Sequence, residues 1–322
     1  MTTKSSNPAP SGAKVVTVGP EQAGQRIDNF LLTRLKGAPR SLIYRILRKG
    51  EVRVNKGRIQ APYRLKEGDQ VRIPPVRLGE KTVTRPGERV LRQVDSAIIY
   101  EDKRLLIINK PSGLAVHGGS GISYGVIEAL RALRPEAPFL ELAHRLDRDT
   151  SGCLVIAKKR SALRALHELL RENQMDKYYL ALLKGEWAGG AAKVKAPLKK
   201  NVLASGERIV RVDPEGKPAS SLFRPLSVNA TASLMEIKLE TGRTHQIRVH
   251  AAHQGHPIAG DDKYGDENFN KQLRKLGLKR LFLHAHRLAF AFDDDGPHID
   301  ITAPLDAELQ QVLAELKLEF HA

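Results

Sequence analysis

The sequence predicts an α+β protein: a mixed, largely antiparallel sheet with flanking helices, preceded by a small N-terminal α/β module. Three observations carry this. The chain has 322 residues, enough for two domains with sizeable cores. From about Ile98 onward, strand and helix patterns alternate without the regular rhythm of βαβ units. Charge is also uneven: residues 1–90 hold 19 Lys and Arg against 7 Asp and Glu, whereas residues 91–322 hold 34 against 29, and the whole chain nets +17. A small N-terminal segment thus carries most of the excess. Binding to a polyanion is the obvious use, because phosphate contacts with counterion release supply sequence-independent affinity. An anionic membrane surface is the rival, but no long basic amphipathic helix or lipidation motif supports it. No membrane span is expected, since no apolar run reaches about eighteen residues. The single cysteine, Cys153, allows no disulfide within the chain and fits a reducing cytoplasm.

Met1 to Lys14 is rich in Ser, Thr and Pro with no apolar run, so residues 1–14 are expected to be a disordered tail and not a signal peptide. Residues 15–76 read as the compact module. Ile27, Phe30, Leu31 and Leu35 have helical spacing. Ser41 is the expected N-cap of a second helix that carries Ile43, Ile46 and Leu47 and stops at Gly50. Val52 and Val54, a turn around Asn55-Lys56-Gly57, and Ile59 follow. Leu65 to Ile73 reads as a turn into an alternating strand. The second helix and the hairpin gather Arg45, Arg48, Lys49, Arg53, Lys56 and Arg58. A charge run is ordinarily a solvated face, but six cations on one helix and its hairpin favour an RNA-binding surface. Residues 77–95, with Gly79, Pro86, Gly87 and many charges, read as a linker to a main domain over 96–322.

In the main domain, Leu105 to Lys110 is an apolar strand running into the Pro111-Ser112-Gly113 turn. The Gly-x-x-x-x-Gly-Lys order of a phosphate loop is absent. Lys110 is read as part of a turn that positions a neighbouring loop, in preference to a phosphate contact. That loop is His144-Arg145-Leu146-Asp147-Arg148-Asp149-Thr150-Ser151-Gly152. Alternating Leu140 and Leu142 lead in and Cys153 to Ala157 lead out, giving strand, tight loop, strand. Asp147 then sits at a loop tip on a rigid sheet. Beside Arg145 and Arg148 its carboxylate stays ionised. That suits a nucleophile or electrostatic stabiliser; a structural ion pair is the other reading.

Further on, Lys177 to Gly185 has period two. Tyr179, Ala181 and Leu183 share one face and Tyr178, Leu180 and Leu182 the other. Periodicity does not choose between the tyrosines. Met235, Ile237 and Leu239 form a strand, and Thr244 reads as the N-cap of a helix that stops at Gly255 and Pro257. Arg248 lies one turn into that helix, which suits a fixed partner for a carboxylate. His245, His250, His253 and His256 do not share a helical face and no Cys or acidic ligand is interleaved, so a metal is not expected. His284 and His286 flank Ala285 in a strand and are read as structural or RNA-facing.

The string His-Arg-Leu-Asp-x-x-Thr-Ser-Gly resembles the active-site motif of the pseudouridine synthases that modify ribosomal and transfer RNA. Lys-x-Tyr-x-Ala and Gly-Arg-Thr-His-Gln-Ile-Arg resemble two further motifs of that family. Late segments at Gly255 to Gly265 and Leu283-His284-Ala285 match as well. Arg26-Ile27-Asp28, Arg48 to Asn55 and Gly68 to Val71 are similar to the S4 RNA-binding domain. The resemblance implies an isomerase with a central RNA cleft and no cofactor or metal. It makes Asp147 the catalytic residue, Tyr179 the ring that stacks on the target base and a candidate for late proton removal, and Arg248 the partner of Asp147. Arg145 and Arg243 are expected to contact RNA. The implied partner is RNA, 23S ribosomal RNA or a large-subunit precursor, handled by a cytoplasmic monomer. A non-catalytic ribosome-assembly factor would explain the charge but not Asp147, Tyr179 and Arg248 together. A nucleic-acid glycosidase would ordinarily need a second carboxylate, and nothing marks Asp149 as one.

Overall fold

A computed structural model describes residues 12–35, 37–76, 86–119, 122–202, 208–292 and 298–320. Most of the expected tail, residues 1–11, and the first part of the expected linker, residues 77–85, lie outside the described residues. The chain divides into two compact units between Val83 and Thr84.

The first unit runs β1 (Lys14–Thr17), α1 (Ile27–Arg34), α2 (Arg40–Arg48), β2 (Arg53–Val54), β3 (Gly57–Arg58) and β4 (Gln70–Ile73). Its strands form an antiparallel sheet in the order β1-β4-β2-β3. Ile27, Phe30 and Leu31 of α1 and Ile43, Ile46 and Leu47 of α2 are buried against Val54 and Val71, as helical and strand periods require. The β2–β3 turn places Asn55 and Lys56 at φ 49° and 67°, the paired left-handed residues of a tight hairpin. Helix α2 begins earlier than expected. Its N-cap is Pro39, not Ser41, and the proline ring presets the entering backbone near φ −66°. The expected stop holds: Gly50, at φ 69°, follows the last turn. Asp28 ties the helices together. It pairs with Arg26 at 2.8 Å and accepts the Tyr44 hydroxyl at 3.0 Å. Arg45, Arg48, Lys49, Arg53, Lys56 and Arg58 are all exposed, on α2 and the hairpin that follows it.

The second unit begins with a correction. Residues 88–95 are not linker but helix α3 (Glu88–Asp95), whose Leu91 and Val94 are buried in the main core. Charged residues occupy its outer face, so its composition resembles a linker while its apolar residues keep helical spacing. There follow β5 (Ile98–Glu101), β6 (Leu105–Lys110), α4 (Val126–Leu133), β7 (Glu141–Leu142), β8 (Ser151–Ala157), α5 (Arg160–Arg171) and β9 (Asp176–Lys184). Next come β10 (Ala192–Lys195), β11 (Leu198–Val202), β12 (Arg208–Val212), β13 (Ser220–Val228), β14 (Ala232–Leu239), α6 (Gln246–His253) and α7 (Glu267–Lys275). The unit ends with β15 (Leu283–Ala291), β16 (His298–Thr302) and α8 (Ala307–Glu315). The main sheet runs β10-β13-β14-β9-β15-β8-β6-β5, with β16 added to β15 and β7 to β8; β11 and β12 pair separately. Among the described residues every strand pairing is antiparallel except β15 with β8. No helix among the described residues is long and apolar enough to cross a membrane.

Strand β9 shows how the sheet divides its sides. Tyr179, Ala181 and Leu183 belong to the larger core, while Leu180 and Leu182 belong to a second one with Leu234, Phe269, Phe282, Leu309 and Val312. A strand buried on both faces must be apolar at successive positions, and β9 is.

The one parallel contact lies beside the Asp147 loop. Gly152 pairs with Ala285 at φ 107°, and a β-carbon built there would stand 2.2 Å from the Ala285 carbonyl oxygen. Only glycine allows the two backbones to approach so closely. Gly152→Ala is therefore expected to lower unfolding stability by roughly 1–3 kcal/mol or more, from overpacking and left-handed strain together. Thermal or urea unfolding checks this, and an unchanged midpoint would show that the strands separate freely.

Candidate active site

Asp147 lies in the loop between β7 and β8, and backbone carbonyls hold that loop in place. The buried Lys110 ammonium, at the end of β6, donates to the carbonyls of Pro111, Leu114 and Arg148 at 3.0, 2.8 and 2.9 Å. Burial pushes its pKa down to about 7, yet three acceptors at once need all three N–H groups of the charged form. The Ser112 hydroxyl donates to the Asp149 carbonyl at 2.7 Å, and the Gly113 N–H donates to Arg148 at 3.0 Å. The Pro111-Ser112-Gly113 turn thus positions the loop, as its sequence suggested. At the start of the loop, His144 Nε2 accepts the Val155 N–H at 3.1 Å, and burial lowers its pKa to about 4. At the far end, the Ser151 hydroxyl accepts from Arg280 at 2.7 Å and lies 2.8 Å from His284 Nδ1. His284 Nε2 bonds the Ala303 carbonyl at 3.0 Å, so this histidine is structural.

The arginines nearest in sequence are not the ones that face Asp147. Arg148 turns to Asp149 at 2.9 Å, and Arg145 is exposed on the rim. Two groups from the start of α6 approach instead. Arg248 Nη1 and His245 Nε2 each stand 3.8 Å from Asp147 Oδ2. The spacing is that of an ion pair beyond hydrogen-bond contact. The tight partner of Arg248 is Asp261: Nε and Nη2 both reach its carboxylate at 2.7 Å, a bidentate fork. The Tyr264 ring lies 5.1 Å from the guanidinium carbon. Burial would raise the Asp261 pKa, but Arg248 and the N–H groups of Tyr264 and Lys263 outweigh it and hold the carboxyl below its ordinary value. The expected pairing of Arg248 with Asp147 is thus the outer contact of a guanidinium anchored elsewhere.

Helix α6 also starts differently from expectation. Its N-cap is His245, not Thr244, and His245 has left-handed backbone at φ 53°. The turn before it is held by Gln246. That side chain accepts from the Thr241 hydroxyl and the Arg243 N–H at 2.7 and 3.0 Å, and donates to the Ser220 carbonyl and Ser221 hydroxyl at 2.9 Å each. This buried amide supplies the restraint that a Thr244 cap would have provided. His250 bonds Ser221 and the Ala196 carbonyl, and His256 bonds the Lys184 carbonyl, so both are committed to structure.

Two cavities meet at Asp147. An open cleft of about 960 Å³ is lined by Arg145, Asp147, Arg248, Arg274, Lys279 and Arg280 among others. A smaller one of about 120 Å³ is lined by Asp147, Tyr179, Ile247, Leu283, Arg145 and Arg243 among others. The first lies within the usual ligand-pocket range of roughly 300–1,000 Å³; the second suits one small ring. Tyr179 forms part of the smaller wall, whereas Tyr178 lies under Arg287 and Lys238 with its hydroxyl toward Asp176. Burial, reinforced by the charge of Asp147, raises the Tyr179 pKa well above that of free tyrosine. Arg243 lines the same cavity and donates to the Pro218 carbonyl at 3.1 Å.

Asp261, Tyr264 and the role of His245 were not legible as site features. Gly260-Asp261-Asp262-Lys263-Tyr264-Gly265 follows the helix, and no periodicity says that Asp261 turns inward while Asp262 stays outside. Asp261→Ala leaves a buried guanidinium unpaired, and a loss of roughly 3–5 kcal/mol is expected in urea unfolding at neutral pH. The sign with pH follows from the lowered pKa. The pair's stabilisation is complete above the ordinary aspartate range near about 4 and is lost only as pH falls through the depressed folded value. Equal stability of Asp261→Ala and the parent at pH 7 would contradict this.

Comparison with known proteins places this geometry in a family. Residues 104–253 match the RNA pseudouridylate synthase family and residues 25–71 match the S4 domain. The chain is 57% identical over 306 residues to ribosomal large subunit pseudouridine synthase C of Pasteurella multocida, covering 94% of each chain. It is 58% identical over 308 residues to the protein of the same name from Salmonella typhi, covering 94% of this chain and 97% of that one. Among solved structures, human RNA pseudouridylate synthase domain containing 4 is similar with TM-score 0.60 and 28% identity, covering 72% of this chain and 97% of that one. The chain belongs to the RNA pseudouridylate synthase family, with an S4 domain ahead of its synthase unit.

Proposed function

We propose that this enzyme converts uridine to pseudouridine in 23S ribosomal RNA of the large subunit, in the cytoplasm where that RNA is handled, with Asp147 as its catalytic residue. The observation that carries the assignment is a carboxylate at the mouth of a ring-sized cavity walled by Tyr179 and faced by Arg248. The large-subunit substrate rests on relatives matched over most of their length.

In the isomerisation the N1–C1′ bond breaks, the uracil turns, and C5 bonds to C1′. N1 gains a proton and C5 loses one, so nothing is oxidised or hydrolysed net. Asp147 serves either as the nucleophile at C1′ or as the base of an elimination. Both roles use the carboxylate that Arg248 Nη1 faces at 3.8 Å. The target base must leave its stack, at a cost of a few kcal/mol. A tyrosine face in a small, partly apolar cavity offsets that cost by stacking. Stacking is the better supported role for Tyr179, because its raised pKa keeps the phenol protonated. The glycosidase alternative gains no specific support: Asp261 is held by Arg248, and Asp149 turns to Arg148.

The S4 unit supplies the second half of the reading. Arg45, Arg48, Lys49, Arg53, Lys56 and Arg58 are offered as its RNA contacts, with Arg145 and Arg243 at the catalytic cleft. Backbone contacts of this kind act through charge and carry strong salt dependence.

Asp147→Asn is expected to lower turnover by more than about 10³-fold on protein-free large-subunit rRNA while sparing fold and RNA affinity. Mapping of pseudouridine reads the product, and a variant that keeps a tenth of the parent rate would remove Asp147 from the chemistry. For Arg248 the informative change is to Lys, which keeps a charge beside Asp261 but not the fork. It should reduce kcat far more than it raises KM. Tyr179→Phe should leave KM unchanged, and an unchanged kcat as well would reduce the hydroxyl to a wall atom. Reversing Arg48, Lys49 and Arg53 to Glu should weaken RNA binding and flatten its salt dependence, with melting unaltered. The parent slope in a salt titration would show those cations to be ordinary solvated surface.

A further inference from the structure

His245 stands between Tyr264 and Asp147. Its backbone is left-handed, at φ 53° and ψ 21°. Such strain in a non-glycine residue persists where the surroundings over-determine it, often at a functional site. Its ring nitrogens face two different groups. Nδ1 lies 2.8 Å from the Tyr264 hydroxyl, and Nε2 lies 3.8 Å from Asp147 Oδ2. The Tyr264 ring meets the imidazole edge-on, with centroids 5.5 Å apart. The Tyr264 oxygen already accepts the Val210 N–H at 2.9 Å. A phenol has a single proton to donate, and the acceptor beside it is His245 Nδ1. With the phenol donating to Nδ1, the neutral imidazole carries its proton on Nε2, the nitrogen that faces Asp147.

The surroundings keep the ring in that neutral form. Burial lowers its pKa below the ordinary histidine value. Of the facing charges, Asp147 and Asp261 pull it up and Arg248 and Lys263 push it down. A neutral imidazole offers a donor without adding a second full positive charge beside Arg248.

We propose that Tyr264 and His245 are positioning residues of the synthase reaction: Tyr264 fixes the His245 tautomer, and His245 presents its Nε2–H to the Asp147 carboxylate. The proposal rests on the catalytic reading of Asp147. It adds a second, uncharged donor from α6 to the same oxygen that Arg248 Nη1 approaches. Both donors approach Oδ2, so the contacts to α6 leave Oδ1 for the substrate. The 3.8 Å gap narrows when substrate excludes water, as catalytic hydrogen bonds that are long in an empty site do.

Two substitutions at His245 separate donor from acceptor. Asn tolerates left-handed backbone and sets an acceptor near the Nδ1 position for Tyr264, but its side chain is too short to bring a donor to Asp147. Gln places an N–H near the Nε2 position. His245→Asn should lower kcat about 10²-fold with KM for RNA unchanged, as loss of a preorganised donor does. His245→Gln should recover most of that loss. Tyr264→Phe, which frees Nδ1 from its donor, should raise the His245 pKa and move the acid limb of the rate profile to higher pH. Nitrogen NMR of the histidine-labelled parent chain gives a readout independent of any variant's folding, with the His245 signals assigned by difference from His245→Asn or by through-bond correlation. At pH 7, Nδ1 should be unprotonated and Nε2 protonated. The opposite tautomer overturns the proposal. So does His245→Asn at the parent kcat, or a folded His245→Gln no better than His245→Asn. A parent chain that forms no pseudouridine at all would instead sink the functional reading, and the NMR result would still decide the tautomer.

Discussion

Arg248 and Asp261 form the contact on which the candidate site depends. Both are almost wholly removed from water, with side-chain exposures of 10% and 1%. Burying two charges costs several kcal/mol each, and attraction offsets this only when geometry is good and the remaining lone pairs are occupied. Here the fork is bidentate and the Asp261 carboxylate also accepts the N–H groups of Lys263 and Tyr264. The pair therefore joins the first turn of α6 to the segment after it and leaves one guanidinium nitrogen, Nη1, directed at Asp147. A charge that is anchored from behind can face a second carboxylate without collapsing onto it. That explains a 3.8 Å approach where a free arginine would have closed to hydrogen-bond distance.

The opposing side of the centre uses a different device. The Asp147 loop is fixed by its backbone, through Lys110, Ser112 and Gly113 on one flank and the Gly152–Ala285 approach on the other. None of these contacts uses the Asp147 carboxylate, whose side chain remains about a quarter exposed in the cleft. Rigidity is thus supplied to the main chain while the carboxylate stays accessible, which fits the preorganisation that its proposed role requires. Among the described residues the S4 unit has no comparable anchoring at its cations: Arg45, Arg48, Lys49, Arg53, Lys56 and Arg58 are exposed, and the RNA contact proposed for them would act through phosphate attraction, which is sequence-independent.

Much of this was readable from the chain. The two helices of the S4 unit, its hairpin and the Gly50 stop follow from spacing and turn residues, and the structure has them. The strand-loop-strand around Asp147 and the two-faced burial of β9 follow the same way. The failures have physical causes. Helix α3 was masked by composition, since three apolar residues among charges suffice to dock one helical face. Ser41 and Thr244 were plausible caps by type, but Pro39 and His245 begin the helices because local backbone geometry and the Gln246 bonds decide where the first turn closes. Adjacency sets Arg145 and Arg148 beside Asp147, but successive loop residues diverge: Arg145 is exposed on the rim and Arg148 turns to Asp149.

The sequence by itself determined the units, the period of each strand, the catalytic loop and the residue types at its tip. These are properties of short stretches, where propensity and alternation act over a few residues. Only the tertiary structure decided which charges meet. Asp147, Tyr179, His245, Arg248, Asp261 and Tyr264 come from four separate stretches of chain, and no local pattern encodes a distance between them. Whether an aspartate faces solvent or a guanidinium, and which nitrogen of a histidine carries its proton, depends on desolvation and on hydrogen-bond partners far away in sequence. For Asp261 and His245 those partners exist only after the sheet has formed and α6 has been laid against it.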